Sequence, residues 1–310
     1  MAWRASSAYH RLMIDRRHVT LGLGAGLFLA HPTATGAAPA DAVAQLRALE
    51  RATGGRLGVF VLDTGSGRET GWRADDRFCH CSTFKLSLAA LALREADAGR
   101  IDLAEPLRIS RADLLPHSPV VAAHIDKGAL PVTTLAEAAQ VTSDNAAANV
   151  LMRRLGGPGA LTRFWREIGD PVSRLDGYEP EINVIPPGTF GNSTTPRAMA
   201  HTVRQIVLGK VLSDASRVRL RDWMAATRSG QQRLRAGLPT GWQALDKTGT
   251  GMRPEVGNKT NDLAVLIPSG GGAPLVVAAY FENPAFSPDV RPADEAVLAA
   301  VARIAVAWRG

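Results

Sequence analysis

Three short stretches combine residue types that can do covalent chemistry. In the first, Ser82-Thr83-Phe84-Lys85, a serine and a lysine stand three positions apart at the head of an apolar run. On a helix beginning near Ser82, the amine lies one turn on and on the same face as the hydroxyl. A serine attacks only when something takes its proton, and a lysine can do so only when burial or nearby cations lower its usual pKa of about 10.4. The helix start adds unpaired N–H groups that favour an oxyanion. A capping serine beside a snorkelling lysine has the same spelling. Lysine is scarce in this chain, however: of 36 basic residues only Lys85, Lys127, Lys210, Lys247 and Lys259 are lysine, leaving 36 − 5 = 31 arginines.

The second stretch, Thr142-Ser143-Asp144-Asn145, leads into a helical pattern; Ser143 could relay a proton and Asn145 hold an amide, although capping accounts equally for Ser143 or Asp144. The third, Asp246-Lys247-Thr248-Gly249-Thr250-Gly251, reads as a strand whose glycines let a ligand approach the backbone. A strand ending in a turn explains those glycines but not another of the rare lysines.

The elements that must position these residues follow from periodicity. Ala42, Leu46, Leu49 and Thr53 mark one helix face, and Leu57 to Asp63 and Glu69 to Arg73 flank Gly65-Ser66-Gly67 as a strand pair. From about Cys79 to Thr227 the pattern is helical, with Thr134-Leu135-Ala136-Glu137 reading as a capping box, Ala146 to Leu155 ending at Gly156-Gly157, and an amphipathic run from Leu212 to Thr227. Asp176 to Pro196 interrupts this pattern with a Pro-, Gly- and Asn-rich connection, long enough in a compact domain to be functional. Strands return at Gln243 to Thr250, Asp262 to Pro268 and Leu275 to Glu282, before a closing helix that carries Val297, Val301, Ile304 and Trp308 on one face. The fold class is therefore α/β, an α+β sandwich: an antiparallel sheet of about five strands flanked by helices, with an all-α insertion. Residues 41–77 and 228–310 form the α/β part; residues 78–227, including the 176–196 loop, form the helical part.

Composition narrows the function. Arg16-Arg17, the apolar run Val19 to Ala30 and the small residues Ala38-Pro39-Ala40 have the plan of a cleaved export signal over residues 1–40, with paired arginines pointing to the twin-arginine route. Gly22-Leu23-Gly24-Ala25-Gly26 falls inside this leader, with no βαβ unit around it, so a dinucleotide loop is excluded. No later apolar stretch reaches the ~18 residues of a membrane span, so the mature protein is expected free of the membrane, periplasmic or secreted. Without the leader the formal charge falls from +7 to 32 − 28 = +4, with no basic run suited to nucleic acid. Two cysteines, Cys79 and Cys81, make neither a metal framework nor a long-range staple.

Ser-Thr-Phe-Lys, Ser-Asp-Asn and Lys-Thr-Gly, in that order over residues 82 to 249, resemble the motif set of the class A serine β-lactamases. The likeness covers essentially the whole mature chain. It extends to His117-Ser118-Pro119-Val120, where the family has an aromatic-Ser-Pro-Val segment at the active-site mouth. Within the superfamily, Glu179 and Asn183 of "RLDGYEPEIN" match the pair that holds and activates the hydrolytic water, whereas Glu181 reads as a solvated acid.

The resemblance implies a monomer with no cofactor and no metal, its active site between the two parts, hydrolysing small-molecule β-lactams and so conferring antibiotic resistance. Ser82 would be the nucleophile, Lys85 and Glu179 the acid/base groups, and Ser143 the proton donor to the departing nitrogen. The backbone N–H groups of Ser82 and Thr250 would form the oxyanion hole. Lys247, Thr248, Gly249 and Thr250 would receive the substrate carboxylate, with Arg233 in "QQRLRAGLP" supplying a guanidinium that some relatives place at the position of Thr260. Asn145 would hold the acylamide, and His117 would line the mouth. A D-alanyl-D-alanine peptidase, which Glu179 with Asn183 argues against, and an acylated β-lactam sensor, which would be expected to carry a membrane tether or partner domain not visible here, share most of these motifs.

Several positions depart from the family pattern. Gly177 and Asn192 stand where many relatives have an ion pair, which predicts a more mobile loop. Gly251 stands where carbapenem-hydrolysing relatives have the cysteine that pairs with the equivalent of Cys81, so that disulfide is excluded. Met252 to Lys259 reads as an enlarged turn. Thr250 and Arg233 occur together in broad-spectrum relatives.

Overall fold

The computed structural model describes residues 41–185 and 189–310; the leader expected over residues 1–40 lies outside them. Helix α1 (Ala42–Thr53) is capped by Asp41, whose Oδ1 accepts the Ala44 amide at 3.1 Å, and ends at Gly54 in the left-handed region at φ 69°. Strands β1 (Arg56–Asp63) and β2 (Glu69–Trp72) form the expected hairpin, with Val59 opposite Trp72 and Leu62 opposite Glu69.

The chain then leaves the sheet. It runs through β3 (Phe78–Cys79), α2 (Phe84–Asp97), β4 (Pro106–Arg108), the short α3 (Pro119–Ala123), β5 (Ala129–Pro131), α4 (Val132–Val141), α5 (Asn145–Arg154) and α6 (Pro158–Glu167). After the irregular loop come β6 (Ser193–Thr194), α7 (Pro196–Val207) and α8 (Asp214–Ala225). The chain returns with β7 (Gln243–Arg253), β8 (Gly257–Ile267), β9 (Leu275–Asn283) and α9 (Pro292–Arg309). The sheet is five-stranded, in the order β2-β1-β9-β8-β7, with every neighbouring pair antiparallel.

Both faces of the sheet are covered, so its central strands are apolar on alternate sides rather than apolar on one and polar on the other. Leu57, Val59, Val61, Leu266, Val277 and Phe281 pack with Leu46 of α1 and Val297, Leu298 and Val301 of α9. Phe60, Leu62, Leu263, Val265, Val276 and Tyr280 face the helices. Helix α2 is buried at every position from Phe84 to Leu93. A helix buried all round belongs at the centre of a core, and each of its leucines contributes about 1.5–3 kcal/mol by burial. The first helical turn carrying Lys85 is thereby held rigid from all sides.

Two local expectations are corrected. Thr134 to Glu137 is not a capping box: α4 begins at Val132, and the leading amides of Val132 and Thr133 donate to the carbonyls of Glu105 and Leu103 at 3.0 and 2.9 Å. Backbone from a distant segment does the work assigned to Thr134. Nor do Met252 to Lys259 form an enlarged turn. β7 and β8 continue as a ladder through Gly251 opposite Lys259 and Met252 opposite Asn258 to Arg253 opposite Gly257, so only residues 254–256 turn. Gly257, at φ 72°, takes the left-handed conformation that closes so tight a connection. The irregular stretch is also shorter than expected at its end, because β6 pairs with β3 and Pro196 opens α7. No described helix is long and apolar enough to cross a membrane.

Candidate active site

Ser82 sits in a single 3₁₀ turn, Cys81–Thr83, immediately ahead of α2. Cys81 enters that turn at φ 44°, and the Ser82 side chain caps no backbone group, which removes the capping explanation for the serine. Its Oγ accepts from Lys85 Nζ at 2.9 Å and donates to Glu179 Oε1 at 3.2 Å. Lys85 is fully buried, with Nζ also donating to the Ser143 carbonyl at 2.8 Å and to Asn145 Oδ1, and 3.1 Å from Glu179 Oε1. Burial pushes the Lys85 ammonium below the ordinary lysine value, against the opposing pull of Glu179. A proton acceptor for the hydroxyl is therefore within reach on either side of Ser82.

The Ser-Asp-Asn segment divides its labour. Asp144 caps α5 by accepting the Ala147 amide at 2.8 Å, and its other oxygen accepts the amides of Val120 and Val121. Ser143 is thus free of capping; held at φ 59°, it turns its hydroxyl to Lys247 Nζ at 3.0 Å. Lys247 is fully buried, and burial together with the Lys85 cation pushes its ammonium well below the ordinary value. Thr248 and Thr250 follow on the same strand. The Thr248 hydroxyl shares a hydrogen bond of 2.6 Å with Ser229, and the Thr250 hydroxyl accepts from Arg233 Nη2 at 2.7 Å.

Arg233 is not surface charge. It is 2% exposed, pairs with Glu295 at 3.0 Å, and donates to the carbonyls of Gly249 and Asn261. Gly249 lets β7 lie against the nucleophile's turn, since a Cβ there would come within 2.8 Å of the His80 carbonyl and 2.9 Å of the Thr83 methyl. Cys81 Sγ would be 3.0 Å from a Cβ at Gly251, and both cysteines are free.

Glu179 is 3% exposed and held on both sides of its own peptide unit: its amide donates to Asn149 Oδ1 at 3.0 Å and its carbonyl accepts from Asn149 Nδ2 at 2.8 Å. Asn183 Nδ2 donates to Glu179 Oε2 at 3.0 Å, while Asn183 Oδ1 is buried without a hydrogen-bond partner. The absent ion pair has a substitute: Asn192 Oδ1 accepts the amides of Asp176 and Gly177 at 2.9 and 3.2 Å.

Ser82, Lys85, Ser143, Asn145, Glu179, Asn183 and Lys247 therefore form one continuous hydrogen-bonded cluster. His117 stands beside it: its exposed ring donates from Nε2 to the Thr142 carbonyl at 2.8 Å and its own carbonyl accepts the Asn145 amide, so it buttresses the Ser-Asp-Asn turn. Sequence reasoning missed Asn149, Ser229 and Glu295. Asn149 had one signal, its position four residues after Asn145 on the same helix. A cavity of about 380 Å³ lined by Asp75, Asp170, Arg197 and His201 contains none of the motif residues.

A buried serine–lysine–carboxylate cluster beside a strand presenting Lys-Thr-Gly suits acyl transfer to and from serine. Comparison with known proteins agrees. Residues 41–308 match the model of a β-lactamase enzyme family. β-Lactamase L2 of Stenotrophomonas maltophilia is 46% identical over 86% of this chain and 87% of its own length. A carbapenem-hydrolysing β-lactamase, KPC, of Klebsiella oxytoca is 40% identical over 84% and 87%. The solved structure of an ancestral class A β-lactamase superposes with a TM-score of 0.80 at 48% identity, covering 86% of this chain and 98% of that one. The chain belongs to the class A β-lactamases.

Proposed function

We propose that this β-lactamase opens the β-lactam ring of penicillins and cephalosporins through an acyl-enzyme on Ser82, and clears that intermediate with a water activated by Glu179. Ser82 Oγ attacks the lactam carbonyl as its proton passes to Glu179 or to a neutral Lys85, and the backbone amides of Ser82 and Thr250 receive the oxyanion. Ser143 delivers a proton to the departing nitrogen, with Lys247 behind it. Lys247, Thr248 and Thr250 take the substrate carboxylate, and Asn145 takes the acylamide. Water enters between Ser82 and the Glu179–Asn183 pair. There Glu179 takes one proton and the unpartnered Asn183 Oδ1 accepts the other hydrogen.

The observation that carries this reading is the contact of Glu179 Oε1 with Ser82 Oγ at 3.2 Å while Oε2 is held by Asn183 at 3.0 Å, an arrangement that a peptidase or a sensor has no use for. The residue 1–40 leader supports export, and the chain path supports an α/β part of residues 41–77 and 228–310 and a helical part of residues 78–227. An intact-mass time course with excess benzylpenicillin tests the chemistry. The penicilloyl adduct on Ser82 should appear and clear in the wild type and persist in Glu179→Ala. A Glu179→Ala enzyme that clears its adduct at the wild-type rate would remove Glu179 from deacylation.

A further inference from the structure

The loop that carries Glu179 is tied down from three directions. Asn149 of α5 holds the Glu179 peptide unit, and Asn192 holds the amides of Asp176 and Gly177. The third tie comes from the sheet. Arg253, at the last rung of β7, reaches back with Nη2 to donate to the Pro180 carbonyl at 2.9 Å, the same oxygen that accepts Asn183 Nδ2 at 3.2 Å. Among the described residues this is the one hydrogen bond from the five-stranded sheet to residues 179–183. It exists because β7 continues to Arg253; an open turn over residues 252–259 would have no rigid base from which to aim the side chain.

We infer that Arg253 is a positioning residue for deacylation, fastening the Pro180 carbonyl, and through it Asn183 and the Glu179 carboxylate, to the rigid edge of the sheet. The inference rests on the proposed role of Glu179. A charged donor on a carbonyl is among the stronger hydrogen bonds, and the group it steadies must aim a water at the acyl carbon. Attack by Ser82 has a second proton acceptor in Lys85, held on the α2 turn that Arg253 does not touch, whereas clearing the acyl-enzyme has only Glu179. Loss of the donor therefore separates the two half-reactions.

The test is pre-steady-state and steady-state turnover of benzylpenicillin by Arg253→Met, which keeps length without a donor, and by Arg253→Lys, which restores one donor. In Arg253→Met the acylation rate should stay within about twofold of wild type, while deacylation slows about tenfold. kcat and KM then fall together and penicilloyl-enzyme accumulates, with Arg253→Lys lying between. In a Glu179→Ala background, Arg253→Met should cause no further slowing. Accumulation in Glu179→Ala but not in Arg253→Met would overturn the role of Arg253 and leave that of Glu179 standing. Clearance at the wild-type rate in Glu179→Ala would overturn both. A loss of kcat/KM in Arg253→Met without accumulation would place Arg253 at substrate binding instead.

Discussion

The proposed mechanism asks opposite protonation states of its two buried lysines wherever Lys85 takes the Ser82 proton. Lys85 is useful as a base only when neutral, and burial lowers its pKa in that direction. Lys247 is useful to a carboxylate only when charged, yet burial and the neighbouring Lys85 push it down as well. As pH rises through a depressed lysine pKa the cation is lost, so the proposed carboxylate site weakens at a lower pH than an ordinary lysine value of about 10.4 would give. We expect KM for a carboxylate-bearing penicillin to rise on the alkaline side below that value. A guanidinium stays charged at any pH an enzyme tolerates, so Lys247→Arg should move the rise upward even if its absolute KM is poorer. Identical alkaline profiles for wild type and Lys247→Arg, measured by initial rates from pH 6 to 10.5, would assign the alkaline limb to another group.

At the scale of the element, the 176–192 loop has a tie at its neck that a count of charges does not show. Replacing an ion pair by Gly177 and Asn192 suggests mobility when only charges are counted; in the fold, Asn192 spans the loop's neck with a side-chain carbonyl that two backbone amides share. Asn192 itself sits at φ 54°, a conformation asparagine tolerates and glycine accepts freely. Asn192→Gly therefore removes the acceptor without adding strain. Hydrogen exchange at the Asp176 and Gly177 amides should accelerate about tenfold in that variant, and deacylation should slow in step. Unchanged exchange at those two amides would show that the neck is held by something else, such as the β3–β6 pair.

This contrast also explains what was legible. Ser82, Lys85, Ser143 and Lys247 could be read because each lies in a local motif whose chemistry is written in neighbouring letters. Asn192 to Gly177, Arg253 to Pro180 and Arg233 to Thr250 could not, because a contact between residues 15 to 73 positions apart depends on register and packing that no local pattern states. The start of α4 failed for the same reason, its leading amides being satisfied by Leu103 and Glu105.

For the whole molecule, the junction between helices, sheet and loop is His80. Its amide donates to the Asn192 carbonyl, its own carbonyl accepts from Thr83 and from Asn261 of β8, and its ring stacks on Trp165 of α6 with centroids 4.9 Å apart. The ring is completely buried, and neither nitrogen has a well-formed hydrogen bond. Burial pushes its pKa down to about 3, outweighing nearby Asp170. In the unfolded chain the same imidazole takes a proton near the ordinary value of about 6.5, so below that pH the unfolded state binds more protons than the folded one. Stability is thus complete above about pH 6.5 and is lost as pH falls toward 3, amounting to about 2 kcal/mol from this group at pH 5. His80→Phe keeps a flat ring against Trp165 and cannot take the proton. Whatever the variant loses or gains in packing is independent of pH, so its Tm relative to wild type should rise by a few degrees between pH 7.5 and pH 5. Parallel Tm curves over that range would mean that His80 escapes protonation in the unfolded chain too, or that the junction opens early enough in acid for the folded ring to be charged.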